Sequence, residues 1–494
     1  MPALQPNPSN ADRLRQLVFG FLSRVLSRVL SFNWLRPSVL FAWENSGPSR
    51  SSSATSWLDG LRGVAAVQVF FFHFFGRYTP WNHTYGSTPE DVYIHQLPIF
   101  RAIWGAGSSA VCVFFVISGY AITVKSLTLL RRKQYDDLYK SLSSSLIRRG
   151  FRLYLPLIIL AVPMLFLIRT VDMVTEGYVY ETEVKDSWTM QFVHLVNATD
   201  DHLSPFMYPD TNPAANRYAY LPPSWTIPVE YQGSIAAYLL VMVVARIEFF
   251  HTRCIILGGM ALYSLHRGAW WTSNFVVGML LADCQLEKQG KGSKPTKKDN
   301  RVSTVVSNVC YIIMFCCSLY LAGIPPNHAA LDFNSKPKPG YEFFYHIYPP
   351  FYMFRMKDET RWYWYWSGTF TVVSISQLSW LRSALDTRFC QWLGKLSFSL
   401  YLIHAAVIAA LTKPLQSLIS SLTASTGILC LVDFCIMAPL IFILSGVVEK
   451  YVDQPSVRFA KKVEKYLWRE RPPLEQEEFP RASSRDVEMV ALLS

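Results

Sequence analysis

The sequence predicts an all-α, polytopic membrane protein with about ten transmembrane helices. The chain has 494 residues, of which 51% are apolar, 15% are aromatic and only 17% are charged. Soluble domains, by comparison, average about 25% charged residues. The apolar residues lie in runs close to the ~20 residues that an α-helix needs to cross a bilayer. This composition excludes a soluble enzyme of ordinary type.

The apolar runs give the predicted order of the elements. The runs lie near residues 57–76, 107–124, 153–168, 229–246, 254–266, 269–283, 303–324, 367–382, 393–411 and 426–447. They predict a cytosolic N-terminal arm over 1–56, a membrane domain over 57–456 and a cytosolic C-terminal tail over 457–494. The fifth run is short and the eighth is interrupted by polar residues, so the count depends most on these two.

The position of the charges predicts the orientation of the helices. The formal net charge is +12, and residues 125–152 hold eight Lys or Arg against two Asp. Residues 284–301 hold six basic residues against two acidic ones, whereas 172–223 hold eight acidic residues against two basic ones. Cytosolic loops of membrane proteins carry such an excess of Lys and Arg. The basic segments are therefore expected in the cytosol, and a nucleic-acid partner is not expected.

Two N-x-T sequons agree with this orientation. Asn82 and Asn197 fall in the segments 77–106 and 169–228, which the charge pattern places outside the cytosol. Such sequons are acceptors of N-linked glycans in the secretory pathway. The sequence therefore predicts glycosylation at both residues and a location in the endoplasmic reticulum or another secretory-pathway membrane. The nine cysteines show no metal-binding spacing, so neither zinc nor another bound metal is expected.

The first predicted crossing carries ionisable residues within an apolar run. Asp59, Arg62 and His73 lie in this segment, and ionisable groups inside a membrane are costly and usually functional. Arg62 and His73 are 11 residues apart, which is three helical turns plus roughly 20°, so they share one helix face about 16 Å apart along its axis. Such a face suits an active site or the ion pathway of a transporter, but no internal repeat supports the transporter.

Five segments in order carry a resemblance to a known family. LDGLRG at 58–63, followed by His73, resembles the opening motif of the acyltransferase type 3 family of integral-membrane O-acyltransferases. The further matching segments are FFVISGY at 114–120, RRGFRLYLP at 148–156, SWTIPVEY at 224–231 and LGKLSFSLYLIH at 393–404. VDQP at 452–455 is a loose version of the family's Glu-Arg-Pro ending. The resemblance covers roughly residues 56–456.

The resemblance implies transfer of an acyl group to a hydroxyl. It favours acetyl-CoA as a donor substrate and a small or lipophilic acceptor, such as a secondary metabolite, within a lipid membrane and with no bound cofactor. An acyltransferase acting on a glycan or a lipid is the alternative within the family. A transporter and a non-catalytic relative that keeps the fold are the alternatives outside this activity.

His73 and Glu230 are the predicted catalytic residues. A neutral imidazole can accept the proton of the attacking hydroxyl, and Glu230 could fix its tautomer or stabilise the imidazolium. Transfer through a covalent acyl-histidine is the other mechanism that these residues allow. His73 is expected deep in the bundle, and Glu230 begins the fourth crossing from the opposite side, so the two residues are expected to meet near the middle.

The donor phosphates are assigned to four arginines near the cytosolic end of the bundle, because guanidinium groups bind phosphate well. The four are Arg62, Arg148, Arg149 and Arg152. Ordinary positive flanking of a crossing explains Arg148 and Arg149 equally well.

Three further residues are candidate accessories to the site. They are Asp59, Ser118 and His404, of which Ser118 lies in a Ser-Gly pair typical of close helix packing. A backbone or tyrosine partner could give His404 a purely structural role. Asp433, in the last crossing, is interpreted as a hydrogen-bond partner within the bundle.

Overall fold

The computed structural model describes residues 55–171, 174–175, 178–179, 184–206, 218–290, 301–325, 338–346, 360–420 and 425–468. Helices dominate these residues, and the all-α prediction is confirmed. The short strands β1 (Val174–Thr175) and β2 (Tyr178–Val179) pair antiparallel, with Val174 opposite Val179. The N-terminal arm lies outside the described residues except for its last two, and so does the chain beyond 468.

Fourteen α-helices occur in the described ranges. They are α1 (Ser56–Phe75), α2 (Pro98–Trp104), α3 (Gly107–Arg131), α4 (Tyr135–Thr170), α5 (Trp188–Leu203), α6 (Thr226–Val244), α7 (Phe250–His266), α8 (Trp270–Gly290), α9 (Arg301–Ala322), α10 (Thr360–Gln377), α11 (Ser379–Leu385), α12 (Arg388–Ser420), α13 (Thr426–Val448) and α14 (Gln454–Leu467). Short 3₁₀ turns cover Ile94–Gln96, Pro222–Trp225 and Glu342–His346, and a π-helical turn over Glu449–Asp453 joins α13 to α14.

Seven helices in the described part of the chain are long and apolar enough to cross a membrane. The seven spans correspond to α1, α3, α4, α6, α9, α12 and α13. The remaining predicted crossings coincide with α7, which has 17 residues, and with α8 and α10, which carry buried polar side chains such as Asn274, Asp283 and Arg361. The polytopic membrane fold is confirmed, while the count of ten stays a prediction.

Helix α1 packs along α12, and the two run in the same direction. Gly63 lies against Gly394 near one end, and His73 lies against His404 further along. Antiparallel packing joins α1 to α3, because Tyr120 lies beside Trp57 whereas the start of α3 lies beside Phe72. These directions agree with the first, second and ninth predicted crossings.

Glycine allows the close approach of α1 and α12. A Cβ added at Gly63 would meet the backbone of Gly394, and a Cβ added at Gly394 would meet the backbone oxygen of Asp59. Small residues let two helix backbones approach in this way inside a membrane. The contact places Arg62 of α1 beside Lys395 of α12 at one cavity.

Buried ion pairs fix the helices at two further places. Asp283 of α8 is fully buried and accepts hydrogen bonds from Arg131 of α3 at 2.7 Å and from Arg253 of α7 at 2.8 Å. Asp433 of α13 accepts a hydrogen bond from Arg77, just beyond α1, at 2.8 Å. Asp433 thus has the bundle partner that its position suggests. Such pairing offsets the high cost of burying a charge.

The packed domain extends past residue 456, where the sequence places the start of the tail. The ring of Phe459 on α14 lies 5.9 Å from the ring of Phe151 on α4, edge to face. Glu464 of α14 lies 3.3 Å from Arg148 of α4. Residues 457–467 therefore form a helix docked on the bundle.

Both sequon asparagines are exposed. Asn82 lies in the loop between α1 and α2, and Asn197 lies on α5. The hydroxyl of Thr199, in the second sequon, is 2.7 Å from the hydroxyl of Tyr218. Exposure of both asparagines is compatible with glycans, and glycosylation stays a prediction.

We expect Gly63→Leu to lower the free energy of unfolding by about 3 kcal/mol, because the new side chain must push α12 away from α1. The matched control is Gly259→Leu on α7, where an added Cβ meets nothing within 4 Å. Thermal denaturation of the two variants in the same detergent measures the difference. Equal melting temperatures would contradict the close packing of α1 on α12.

Candidate active site

A cavity of about 290 Å³ opens between α1, α3, α4, α6 and α12. This volume is at the lower end of the range for small-molecule sites. Its charged lining consists of the basic residues Arg62, Arg149, Arg152 and Lys395 and the acidic residues Asp59, Glu230 and Asp453. Asp59, Arg152 and Lys395 are exposed and mark the mouth of the cavity.

Arg62 and Arg152 point to an anion site in this cavity. Neither guanidinium forms a hydrogen bond or an ion pair with the described residues, although both line the cavity. The charges of Glu230 and Asp59 act on Arg62 from a distance, as does the like charge of Arg152. Two like charges held close together without a direct acceptor form a favourable place for a phosphate.

Glu230 is held by Arg149 and Ser118. The guanidinium of Arg149 donates a hydrogen bond to Glu230 at 2.7 Å, and the Ser118 hydroxyl donates another at 2.9 Å. Arg149 also donates to the hydroxyl of Ser234 at 2.6 Å, one helical turn further along α6. Glu230 therefore compensates the charge of Arg149, and Ser118 serves as a hydrogen-bond donor to the same carboxylate.

His73 and His404 form a stacked pair. Their ring centroids are 5.0 Å apart and the ring planes differ by 15°. His404 is completely buried, and its Nδ1 lies 2.9 Å from the carbonyl oxygen of Leu400. Because a carbonyl can only accept, Nδ1 carries the proton, and Nε2 of the neutral ring is the basic nitrogen. The structure thus brings His73 together with His404, and brings Glu230 together with Arg149.

Tyr401 lines the cavity and contacts His404 of the histidine pair. Its ring lies 6.1 Å from that of His404, and it also lines the cavity beside Phe114. The Tyr401 hydroxyl donates to the carbonyl of Pro223 at 2.6 Å and lies 2.8 Å from the hydroxyl of Thr226. These bonds tie α12 to the start of α6. His73 and His404 do not line the cavity but lie one layer of side chains beyond it.

The arginines assigned to the donor divide into two groups. Arg149 and Arg152 are three residues apart on α4, so they share a face, and both line the cavity. Arg148 is turned to the other side of α4 and lies 3.3 Å from Glu464. Arg148 is therefore part of the contact with α14 and does not line the cavity.

Sequence reasoning did not single out several polar residues that line the cavity, among them Lys395, Tyr401 and Thr226. Lys395 and Tyr401 lie within the segment 393–404, and Thr226 lies within 224–231. Because these residues lie in the segments that resemble the family's motifs, the motifs were the signal that could have identified them. The sequence offers no way to tell which members of a matching motif face a cavity.

The match of the chain to a family model decides its family. The model of the type 3 acyltransferase domain matches residues 55–449 of this chain. The chain belongs to this acyltransferase family. This membrane O-acyltransferase is thus an enzyme, and the transporter alternative is set aside.

The relatives are fungal enzymes of similar length. The chain is 26% identical over 462 residues to the O-acetyltransferase PaAT-1 of Phomopsis amygdali, a match that covers 86% of this chain and 87% of that protein. It is 22% identical to the acyltransferase clz18 of Cochliobolus lunatus, over 82% of this chain and 94% of that protein. No solved structure matches this acyltransferase.

We expect Arg149→Met to destabilise the acyltransferase much more than Arg148→Met. The first change leaves Glu230 as an uncompensated, largely buried charge, which typically costs about 3–5 kcal/mol. The second removes a partly exposed ion pair worth up to about 1 kcal/mol. Thermal unfolding of both variants in detergent provides the comparison. Similar losses in the two variants would mean that Arg149 and Glu230 do not form the pair described above.

Proposed function

We propose that this acyltransferase transfers an acetyl group from acetyl-CoA to a hydroxyl of a small or lipophilic acceptor, such as a secondary metabolite. The observation that carries the proposal is the pair Arg62 and Arg152, which line the cavity without an acceptor among the described residues. The name of the relative PaAT-1, an O-acetyltransferase, supports acetyl as the transferred group.

The cavity is the proposed donor site. Arg62 and Arg152 would bind donor phosphate, with Lys395 at the exposed mouth adding a further positive charge. The deeper lining includes the apolar side chains of Phe114 and Phe115, which suit the pantetheine arm and the thioester. The excess of basic residues in the neighbouring loops supports a mouth at the cytosolic end of the bundle, where acyl-CoA is available.

His73 is the proposed general base. It accepts the proton of the acceptor hydroxyl while the hydroxyl oxygen forms a bond to the thioester carbonyl carbon. The carbon–sulfur bond then breaks, and the leaving thiolate takes up the proton from His73, so that the ester and free CoA are the products. Tyr401 lines the donor cavity next to His404, and the reacting carbon would lie past this ring, within hydrogen-bond reach of His73.

Glu230 and His404 are proposed to support this chemistry in different ways. His404 gives the ring of His73 a fixed, neutral stacking surface. Glu230 balances the charge of Arg149 and so leaves Arg62 and Arg152 as the phosphate-binding pair. We further propose that the enzyme resides in the endoplasmic reticulum or another secretory-pathway membrane and carries glycans on Asn82 and Asn197.

The overall activity is tested with purified acyltransferase and isotopically labelled acetyl-CoA. Extracts of cells that lack the protein supply the acceptor, and mass spectrometry seeks a product heavier than a precursor by one labelled acetyl group. Label on a glycan or a membrane lipid would instead favour those acceptors. Absence of labelled product with every extract, from protein that is folded and inserted, would contradict the proposal.

For the donor site, we expect Arg62→Ala to raise the KM for acetyl-CoA about 10–100-fold. This factor corresponds to the free energy of one charge-assisted hydrogen bond. Arg62→Lys should recover only part of this loss, because an ammonium group cannot form the planar fork of a guanidinium. Steady-state kinetics measures the effect, with Arg148→Ala as the control that should keep the wild-type KM. If Arg62→Ala kept the wild-type KM, the donor phosphate would have to bind at another place in the enzyme.

For the base, we expect His73→Ala to lower kcat about 10²–10⁴-fold while acetyl-CoA still binds, because general-base catalysis contributes this much. Glu230→Gln should lower kcat less. His251→Ala, at an exposed position on α7, is the control. The quenched enzyme is also examined for covalently bound labelled acetyl. If this label is present in the wild type and absent in His73→Ala, transfer through a covalent acetyl-histidine is favoured over direct transfer. Normal turnover by folded His73→Ala would overturn the role of His73.

A further inference from the structure

The π-helical turn Glu449–Asp453 contributes a side chain to the cavity that has no part in the proposed reaction. This turn interrupts the helical path from α13 to α14, and it places Asp453 in the lining of the cavity. π-Helical turns are rare and occur frequently at functional sites, because the extra residue in the turn redirects the side chains that follow. Asp453 is thus the one cavity-lining residue that this turn contributes among the described residues.

The two acidic residues of this turn have different surroundings. Glu449 accepts a hydrogen bond from the side-chain nitrogen of Gln454 at 2.7 Å and lies 3.8 Å from the ammonium group of Lys395. Oδ1 of Asp453 is buried and receives no hydrogen bond from the described residues. A buried acceptor without a donor costs free energy, which a bound group with a hydrogen-bond donor would recover. Asp453, unlike Glu449, is therefore suited to a ligand.

The charges around Asp453 indicate which ligand group fits. The positive charges of Arg152 and Arg62 act on its carboxylate, yet neither forms an ion pair with it within the described structure. Asp453 therefore leaves both guanidinium groups available to phosphate. Its own carboxylate repels phosphate and can only accept a hydrogen bond. The complementary ligand has phosphate and, next to it, a hydroxyl or an N–H group.

We propose that Asp453 is a specificity residue for the donor, accepting a hydrogen bond from a hydroxyl or N–H group adjacent to the donor phosphate. The inference rests on the proposed donor site. An acyl-CoA has such groups beside its phosphates, in the ribose, the adenine and the pantoate hydroxyl. Asp453 would thus favour a nucleotide-bearing thioester over inorganic phosphate, whose oxygens it repels.

The test compares two acetyl donors in Asp453→Ala and Asp453→Asn. Acetyl-CoA has the phosphates and the adjacent donor groups, whereas S-acetyl-N-acetylcysteamine has neither. In Asp453→Ala, we expect the KM for acetyl-CoA to rise about tenfold and the KM for the short thioester to stay unchanged. Asp453→Asn, which keeps an acceptor oxygen, should show a smaller rise. Glu464→Gln, on α14 and outside the cavity lining, is the control.

A stability measurement separates this role from a structural one. Removing a buried carboxylate that lacks a partner should leave the melting temperature of the donor-free enzyme unchanged or raise it. The increase in melting temperature caused by acetyl-CoA should become smaller. An unchanged KM for acetyl-CoA, or an equal rise in KM for both donors, would overturn the role of Asp453 while leaving the proposed function intact. Failure of the wild-type enzyme to use acetyl-CoA would overturn both.

Discussion

The close approach of α1 and α12 is the contact on which the site depends. Gly63 and Gly394 bring the two backbones together, and the helices then run side by side in the same direction. This single register places Arg62 at the cavity that Lys395 also lines, and His73 against His404. A glycine contact thus sets the positions of both halves of the proposed chemistry, although no glycine takes part in it.

Charge compensation divides the ionisable groups of the bundle into two classes. Asp283, Asp433 and Glu230 each accept hydrogen bonds from arginine, and these pairs join helices that are distant in sequence. Arg62 and Arg152 have no such partner among the described residues. Because an uncompensated charge in a membrane protein is costly, the second class is where a charged substrate is expected. This distribution of charge supports the proposed donor site.

The order of side chains along α12 would separate donor binding from chemistry in the proposed function. Lys395 lies at the exposed mouth, Tyr401 lies at the inner part of the cavity and His404 lies beyond it. A donor that enters from the basic side would meet the positive charges first and the histidine pair last. An apolar acceptor could approach the same pair from within the membrane. One helix thus carries a residue of the proposed donor site, the ring of Tyr401 and the stacking partner of the proposed base along its length.

The sequence by itself determined the membrane fold, the acyltransferase family and the segments that build the site, because hydropathy and motif order are properties of the chain. It did not determine which side chains meet. Only the tertiary structure paired Glu230 with Arg149 and His73 with His404, and turned Arg148 away from the cavity. The reason is that contacts between helices depend on their rotation and register. Small-residue packing and buried ion pairs between distant segments set these two quantities.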